Sequence, residues 1–428
     1  MDIAKLAEWN PWWETKEVPK ELIAVPRPHY GQLLESVEIR EVTIITGVRR
    51  SGKSTLMYQM IGGLLKGSVR PEQVLFVNLE DNKLAEDSLQ DIYESYRKDI
   101  NPEAKAFVFL DEIHRREGWE AWIRKKYDLK TGDKFVISGS CSYLLKKEYS
   151  TLLTGRNLTF EVMPLGFGEF LLFGGISPDK KLLKKGVLLE KTKIQAMKKL
   201  DEYLALGGFP EIFFRQKNFK TKILEQYFDD ILYKDIIDRY SLNSRKAKDL
   251  ALYLMVNFTG LISLRNLRNS LKLSYDTTKD YIAYYSEAFL FFTVDHFSYS
   301  FREQKTLASK IYCIDNGLRN AASFKFSRDA GKLAENCVLV HLKRLGKQPY
   351  YWKNRDEVDF IIKNADNSLE AVNVSYSDEI NEREIKGLLE FGKEFKKTKK
   401  LTLITKGTEK KEGGIEFIPL WKWLLLAE

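Results

Sequence analysis

The sequence is poor in the residues that would build a metal centre, a disulfide framework or a membrane segment. Its 428 residues include only three cysteines and four histidines, and Cys141, Cys313 and Cys337 lie far apart without the spacing of metal ligands. No apolar stretch approaches the ~20 residues that a membrane helix needs, and residues 1–5 lack the basic start and apolar core of a secretory leader. We therefore expect reduced core thiols, no membrane association and a cytoplasmic protein.

Internal repeats and low-complexity tracts are also missing, and the 44% content of hydrophobic residues excludes a disordered chain. A chain of this length exceeds one hydrophobic core, so we expect about two to four domains. The net charge of +9 permits nucleic-acid binding but does not demand it, because it is spread over the whole chain. The basic run at 393–400 is too short to be a tail.

The most specific motif is a glycine-rich loop that follows an apolar run. Residues 47–54 read G-V-R-R-S-G-K-S and come directly after the apolar segment 42–45. Glycines at both ends let successive backbone N–H groups turn inward around a phosphate, which a side chain there would obstruct. The spacing is that of the phosphate-binding loop of nucleoside triphosphatases, which lies between a strand and a helix.

Each part of this loop has an expected task in binding Mg·ATP. Lys53 brings a positive charge to the β- and γ-phosphates, and Ser54 offers a hydroxyl to Mg²⁺. A helix from Thr55 to about Leu65 directs its positive end at the anion. We therefore predict that ATP and Mg²⁺ are bound by Gly47, Val48, Arg49, Arg50, Ser51, Gly52, Lys53, Ser54 and Thr55.

A second apolar run, residues 106–110, ends in two carboxylates, Asp111 and Glu112. This pattern is typical of a buried parallel strand whose carboxyl end reaches a ligand site. We expect Asp111 to hold Mg²⁺, and Glu112 to orient and deprotonate the attacking water. Acidic pairs at strand ends are common, and it is the phosphate loop upstream that gives this one its meaning.

Two further residues have open interpretations. A third apolar strand at 134–137 ends in Ser138, whose hydroxyl either senses the γ-phosphate or belongs to a simple turn. Arg156 is either a catalytic cation that neutralises charge in the transition state or one half of a structural ion pair.

Residues 242–300 read as a compact unit of three helices and a strand pair. Helices are predicted from Ala247 to about Asn257, from 264 to 271, and from 275 to about 288 behind the capping residue Ser274, with strands near 290–297 and 311–314. This is the plan of a winged helix-turn-helix. Thr277, Thr278, Lys279 and Tyr281 would form its reading face, with Arg265, Arg268 and Lys272 on phosphates. DNA binding and protein docking are equally compatible with the pattern.

The motifs together resemble those of one family, the prokaryotic and especially archaeal AAA-type ATPases that end in a domain of unknown function with a restriction-endonuclease-like fold. The resemblance rests on the phosphate loop, on L-D-E-I-H at 110–114, S-G-S at 138–140 and G-R at 155–156, and on P-L at 164–165. Further segments carry it along most of the chain, among them Y-F-D-D-I at 227–231, D-N-G-L at 315–318 and E-V-D-F at 357–360.

The resemblance implies an α/β protein with four parts. These are a P-loop AAA-type parallel-sheet domain at 1–175, a helical lid at 176–241, a winged helix-turn-helix at 242–304 and a restriction-endonuclease-like domain at 305–428. Nucleases of that fold hold Mg²⁺ with a helix carboxylate, an aspartate and a Glu-x-Lys pair. Here Glu335 and Asp359 match, but Asn373 and Ser375 stand at the Glu-x-Lys positions. Lys353 or Arg355 could in principle replace the lysine.

The sequence therefore predicts an Mg·ATP-dependent ATPase that acts as a nucleotide-driven switch on DNA or on a protein partner, with a catalytically degenerate nuclease site. Two alternatives remain open: an ATP-regulated nuclease, and a nucleotide-locked scaffold that hardly turns over. The pair Asp111 and Glu112 favours hydrolysis over the scaffold, and Asn373 and Ser375 disfavour the nuclease. The oligomeric state is left open.

Overall fold

The computed structural model describes residues 2–28, 30–140, 153–185, 190–323 and 330–426; of residues 180, 184, 264–266 and 305 it describes only the backbone. Within these ranges the chain forms two compact units, Met1–Val162 and Met163–Glu428. Cys141 lies outside the described residues.

The first unit is built on a five-stranded sheet in the order β2-β3-β4-β1-β5. Its strands are β1 (Val42–Thr46), β2 (Val74–Asn78), β3 (Phe107–Asp111), β4 (Lys134–Gly139) and β5 (Asn157–Glu161). Every pair of neighbours runs parallel. All the carboxyl ends therefore lie at one edge of the sheet and all the amino ends at the other.

Helices cover both faces of this sheet, as the alternating pattern of its apolar side chains requires. One face carries Val42, Ile44, Val108 and Leu110, and packs on residues of the helices Leu89–Asp99 and Trp119–Asp128. The other face carries Ile45, Phe76, Phe109 and Val136, and packs on the helix Lys53–Lys66 and on Trp12. The remaining helical segments are Ala4–Ala7, Trp12–Thr15, Lys20–Ile23, Tyr30–Glu35, Pro71–Gln73, Asn82–Leu84 and Ile113–Arg115. The predicted α/β class with a parallel sheet is confirmed.

The second unit begins with a helical layer: Phe167–Phe173, Lys180–Lys184, Glu190–Leu206, Pro210–Phe214, Lys217–Asp230, a π-helix Ile231–Ile237, and Asp238–Tyr240. Leu200, Tyr203 and Leu204 of this layer are buried in the same apolar cluster as Val338 and Phe360. The segment predicted as a lid is thus helical and belongs to the core of the second unit. Its action on a nucleotide stays a prediction.

A module of three helices and a strand pair follows. Its helices are Ser244–Val256, Leu264–Leu271 and Tyr275–Glu287, and its strands β6 (Phe291–Val294) and β7 (Lys310–Cys313) pair antiparallel, with Leu261 bridged to Lys310. Ser274 caps the third helix by accepting from the N–H of Thr277 at 3.0 Å. Because β7 pairs with β6, the module continues past residue 304, where the sequence had placed its end.

The last part is a six-stranded sheet in the order β12-β13-β11-β10-β9-β8. The strands are β8 (Tyr350–Lys353), β9 (Glu357–Lys363), β10 (Leu369–Ser375), β11 (Thr398–Thr405), β12 (Lys410–Glu412) and β13 (Ile415–Pro419). The helices are Phe301–Thr306, Asn316–Ala322, Ala330–Arg344, Glu382–Glu394 and Leu420–Leu426. Ala330–Arg344 and Leu420–Leu426 pack on one face of the sheet and Glu382–Glu394 on the other.

The first predicted boundary, at residue 175, falls too late. The first unit ends at Val162, and the helix Phe167–Phe173 buries Phe167, Phe170 and Leu171 in the core of the second unit. Cys313 and Cys337 are free, buried thiols whose pKa is raised by burial, to about 12 for Cys313. No helix within the described ranges is long and apolar enough to cross a membrane.

Candidate functional site

The phosphate loop lies at the carboxyl edge of the first sheet, between β1 and the helix Lys53–Lys66. Gly47 has φ +147, and a Cβ there would lie 2.0 Å from the carbonyl oxygen of Val162. Gly52 has φ +98, and Arg50 also adopts a left-handed conformation with φ +69. Such alternation of backbone handedness turns successive N–H groups toward a common point, which is how a loop binds an anion.

The side chains expected to bind phosphate and metal converge beside this loop. The Lys53 ammonium is buried and donates to the carbonyl oxygens of Gly47 and Val48, at 3.1 and 3.2 Å. The Ser54 hydroxyl donates to Asp111 Oδ2 at 2.6 Å. Burial and the nearby Glu112 charge raise the pKa of Asp111 above its usual value. Two oxygen donors held together in this way suit a hard cation such as Mg²⁺.

Glu112 is held in a strained backbone conformation. It follows β3 with φ +54, which costs a non-glycine residue about 1–2 kcal/mol and often marks a functional site. Its Oε2 accepts from the backbone N–H of Ser140 at 3.1 Å and lies 3.3 Å from His114 Nδ1, and its Oε1 is 3.7 Å from Lys53 Nζ. The carboxylate therefore has a fixed position beside the phosphate-binding lysine.

Ser138 lies between the two carboxylates, at the end of β4. Its hydroxyl donates to Asp111 Oδ1 and accepts from the backbone N–H of Glu112 at 3.0 Å. The residue is fully buried. In this arrangement the hydroxyl holds the acidic pair in place, and a contact between Ser138 and the γ-phosphate stays a prediction.

A pair of arginines joined by Glu80 was not anticipated from the sequence. Arg49, within the phosphate loop, contacts Glu80 through both terminal nitrogens at 2.9 and 3.3 Å, and Arg115 donates to Glu80 Oε1 at 2.8 Å. Burial would raise the pKa of Glu80, but the two guanidinium groups lower it to about 2. The sequence could have indicated this contact, because Glu80 follows β2 and Arg115 follows β3, and the carboxyl ends of parallel strands meet at one sheet edge.

Arg27 is a second contact that the sequence did not reveal. It is buried, and its Nη1 donates to the carbonyl oxygen of Ser51 at 2.9 Å. The segment before the first strand therefore supports the phosphate loop from outside the motif.

Arg156 lies at the opposite edge of the sheet. It directly precedes β5, its carbonyl oxygen accepts from the N–H of Val42 at the start of β1, and its Nε is 3.1 Å from Asp128 Oδ1. The five residues of β1 span roughly 17 Å between that edge and the phosphate loop. A catalytic role for Arg156 within its own chain is therefore wrong, and the ion pair is what the structure contains.

The predicted reading face of the three-helix module is wrong for two of its four residues. Thr278 and Tyr281 are buried, so they cannot contact DNA. The exposed face of the third helix carries Asp276 and Asp280 together with Lys279. The side chain of Arg265 lies outside the described residues.

In the second unit, an unexpected lysine occupies the centre of the predicted nuclease site. Lys310 Nζ lies 3.1 Å from Glu335, 3.1 Å from Asp359 and 2.6 Å from Glu357. Its side chain is only 4% exposed. Burial would lower the pKa of Lys310, but Tyr312 and the three carboxylates raise it well above its usual value. A buried ammonium thus neutralises part of this carboxylate cluster.

Asn373 and Ser375 are buried beside the cluster. Asn373 Oδ1 accepts from the N–H of Asp359 at 2.8 Å, and its amide nitrogen donates to the backbone oxygen of Glu357 at 3.1 Å and to Glu384 Oε2 at 3.0 Å. The oxygen and the nitrogen of the Asn373 amide therefore link β10 to β9 and to the helix Glu382–Glu394. Lys310 could not be assigned to this site from the sequence, because its strand β7 pairs with β6 in a different sheet.

Comparison with known proteins agrees with this geometry. Residues 39–171 match the model of an AAA domain, and residues 197–329 and 330–423 match two domains of unknown function, DUF8612 and DUF4143. The Walker-type ATPase paby2304 of Pyrococcus abyssi is 13% identical, with 72% of this chain and 97% of that chain covered. Its TM-score of 0.46 is too low to define a shared fold.

Two relatives match nearly the whole chain. An uncharacterized protein of Methanocaldococcus jannaschii, MJ1544, is 33% identical over 90% of this chain and 88% of its own length. An uncharacterized protein of Haemophilus influenzae is 30% identical over 94% of this chain and 98% of its own.

The parallel sheet, the loop at its carboxyl edge and the AAA-domain match over residues 39–171 support a nucleotide-binding, ATPase-like function for the first unit. The chain belongs to the same family as MJ1544 and the Haemophilus influenzae protein.

Proposed function

We propose that this protein hydrolyses ATP in an Mg²⁺-dependent reaction and uses the nucleotide state to act on a partner. The observation that carries the proposal is the contact between Ser54 and Asp111 at 2.6 Å, beside a fixed Glu112 and a buried Lys53. A phosphate loop that only gripped a nucleotide would not need a carboxylate held in a strained conformation next to its lysine.

Each residue has a defined part in the reaction. Lys53 and the loop N–H groups hold the phosphates, while Ser54 and Asp111 hold Mg²⁺, which supplies charge neutralisation to the phosphates when bound. Glu112 orients a water molecule toward the γ-phosphorus and accepts its proton as the new P–O bond forms and the bond to ADP breaks. The Ser138 hydroxyl positions both residues, because it donates to the Asp111 carboxylate and accepts from the backbone N–H of Glu112.

For the three-helix module we propose a winged-helix fold that docks a protein partner. The order of helices and strands, with Leu261 bridged to β7, supports that fold. Asp276 and Asp280 on its exposed face favour a protein over double-stranded DNA.

For the six-stranded domain we propose a restriction-endonuclease-like fold that does not cleave nucleic acid. Glu335 and Asp359 are engaged by Lys310, and Asn373 and Ser375 leave the usual second carboxylate and strand lysine missing. Because an ammonium already pairs with these carboxylates, we expect a divalent cation to be excluded. The domain then serves as a folded interaction surface.

The test is a comparison of ATP binding and turnover in the full chain, with Lys53→Ala and Glu112→Gln as paired variants. We expect Lys53→Ala to lose binding, and Glu112→Gln to keep binding and lose turnover by ~10²-fold or more. Equal ATP affinity in wild type and Lys53→Ala would refute nucleotide binding at this loop. Binding without turnover in wild type would identify the nucleotide-locked scaffold instead.

A further inference from the structure

A basic pocket opens at the amino edge of the first sheet, opposite the phosphate loop. Its volume is about 370 Å³, within the range of ligand-binding pockets. Its walls are the segments that precede β1, β3 and β4 together with the start of β4, and its basic side chains are Arg40, Lys105, Lys126, Lys130 and Lys134. The roughly 17 Å length of the strands separates this pocket from the nucleotide site, so it is not a part of that site.

The cations of this pocket outnumber its carboxylates. Five basic side chains line it, against Glu38 and Asp133. Asp133 already accepts hydrogen bonds from the Tyr93 hydroxyl and from the N–H of Ala106, and it lies 3.9 Å from Arg97. Within the described part of the chain, none of the five cations forms an ion pair with a carboxylate.

The closest contacts of three of these cations are with carbonyl oxygens and aromatic rings, not with carboxylates. Lys134 is almost fully buried and donates to the backbone oxygens of Ile39 and Glu41. Lys105 lies over the ring of Phe107 at 4.8 Å, and Lys126 over that of Tyr93 at 3.9 Å. Rings and carbonyl oxygens orient an ammonium group without cancelling its charge.

The electrostatics of the two most buried lysines agree with this picture. Burial lowers the pKa of Lys134 to about 8 although Glu41 acts to raise it, and burial lowers the pKa of Lys126 although Glu94 and Asp133 act to raise it. A lysine that had a buried counter-ion would show the opposite shift. Burial thus outweighs the acidic neighbours of both lysines, so a bound anion would stabilise their charged forms.

We propose that this pocket binds the phosphate backbone of nucleic acid. Arg40 precedes β1, Lys105 precedes β3, and the other lysines precede or begin β4, so several cations from one sheet edge face neighbouring phosphates. Point charges on flexible stems bind a repeating polyanion without reading its sequence. This binding does not require the proposed ATPase reaction, so the two proposals can be tested independently.

The experiment measures binding of a short DNA duplex to the full chain, without nucleotide, between ~50 and ~200 mM salt. The variant carries Lys105→Gln, Lys126→Gln and Lys130→Gln; Lys134 is left in place because it is buried. Each phosphate contact contributes about 0.9 to the slope of log affinity against log salt. We expect the variant to flatten that slope by about 2–3. The single variants Lys105→Gln and Lys130→Gln, at exposed positions, should each flatten it by about one.

Two matched variants remove the same charge elsewhere. Lys393→Gln, Lys396→Gln and Lys397→Gln change the exposed basic run of the second unit, and Arg268→Gln, Lys272→Gln and Lys279→Gln change the three-helix module. Both should keep the wild-type slope. A slope flattened by the second set and kept by the pocket variant would overturn the proposal in favour of the three-helix module.

Two other probes separate the sources of negative charge. Polyglutamate that binds the pocket as tightly as the duplex would overturn the proposal, because the pocket would then suit an acidic protein. Pyrophosphate that binds while the duplex does not would assign the pocket to a free phosphate compound and would also overturn it. No duplex binding by wild type at ~50 mM salt would do the same.

Discussion

Lys310 and Asp359 belong to different sheets and lie 49 residues apart in the chain, yet Lys310 Nζ is 3.1 Å from Asp359 Oδ1. The backbone of Lys310 pairs with Val294 in the two-stranded sheet, while its side chain lies among carboxylates of the helix Ala330–Arg344 and of β9. One buried side chain thus joins the three-helix module to the six-stranded domain.

Replacing Lys310 by methionine should destabilise the second unit strongly. The change keeps most of the side-chain volume and removes the charge. Glu357 keeps its contact with Lys353, but Glu335 and Asp359 lose the ammonium that pairs with them. Breaking a buried ion pair in this way costs about 3–5 kcal/mol of the free energy of unfolding. Thermal and urea unfolding of the full chain measure the loss.

The matched control is Lys353→Met. Lys353 also contacts Glu357, at 3.2 Å, but its side chain is 50% exposed. An exposed pair contributes about 0–1 kcal/mol. Equal stability of the two variants would mean that Lys310 does not hold the modules together. A gain of Mn²⁺-dependent thermal stabilisation in Lys310→Met alone would support the view that the ammonium occupies a cation position.

Gly47→Ala should damage the phosphate loop directly. The new methyl group would meet the carbonyl oxygen of Val162 at 2.0 Å, and the φ of +147 disfavours any side chain. We expect a loss of about 2–4 kcal/mol of stability and of ATP binding. Gly67→Ala is the control at the other end of the same helix, since its Cβ would meet only ordinary contacts at 3.4 Å or more. If both variants bind ATP like wild type, the loop is not confined as described.

Ser54→Ala and Ser138→Ala should have separable effects. Ser54→Ala removes a proposed metal ligand, so the Mg²⁺ concentration required for turnover should rise. Ser138→Ala leaves that ligand intact but frees Asp111 and Glu112 from their shared hydroxyl, so turnover should fall about tenfold at an unchanged Mg²⁺ requirement. Steady-state ATPase assays over a range of Mg²⁺ concentrations distinguish the two. The same Mg²⁺ dependence in both variants would refute the assigned roles.

Arg156→Ala should leave turnover nearly unchanged and cost about 0–1 kcal/mol of stability, because its pair with Asp128 is partly exposed. A catalytic role of Arg156 on a neighbouring copy of the chain makes a different prediction. In that case Arg156→Ala and Lys53→Ala would each be inactive alone, and mixing them would restore turnover. ATPase activity of the two variants, separate and mixed, decides the matter.

The stability of the second unit should depend on pH through Glu384. Burial, followed by the charge of Asp359, raises the pKa of Glu384 from 4.5 to about 7. A raised carboxyl pKa favours folding while the group is protonated, so this contribution is present below about pH 4.5 and is lost as the pH rises through about 7. The free energy of unfolding should fall by up to ~1.4 kcal/mol per pH unit in that window.

Urea unfolding between pH ~5 and ~8 tests this dependence. Glu384→Gln should flatten the decline, whereas Glu382→Gln, two residues earlier and 82% exposed, should leave it unchanged. A decline that persists in full in Glu384→Gln would show that another group is responsible.

The sequence by itself determined the class of the first unit and the position of its loop. Local spacing was sufficient there, because a glycine-rich loop works through its own backbone and its strand and helix adjoin it in the chain. Residues 47–54 and the pair Asp111 and Glu112 could therefore be predicted as site residues from the sequence alone. The strands of the parallel sheet followed for a related reason, since each is a continuous apolar run bounded by polar residues.

The tertiary structure decided where side chains face and which distant segments meet. The sequence around Arg156 is compatible with a catalytic cation. Only the pairing of β5 with β1 shows that Arg156 lies at the sheet edge opposite the phosphate loop. Thr278 and Tyr281 lie on the helix chosen as a reader, yet that face is buried in the module. Helical periodicity defines faces but does not say which of them meets the core.

Lys310, Glu80 and the basic pocket share one physical reason for escaping the sequence. Each depends on charges brought together from separate strands or loops, and electrostatic interaction depends on distance and burial, which a linear sequence does not encode. Glycine spacing and apolar runs act locally and can be read from the chain, whereas ion pairs and pockets exist only once the sheets have formed.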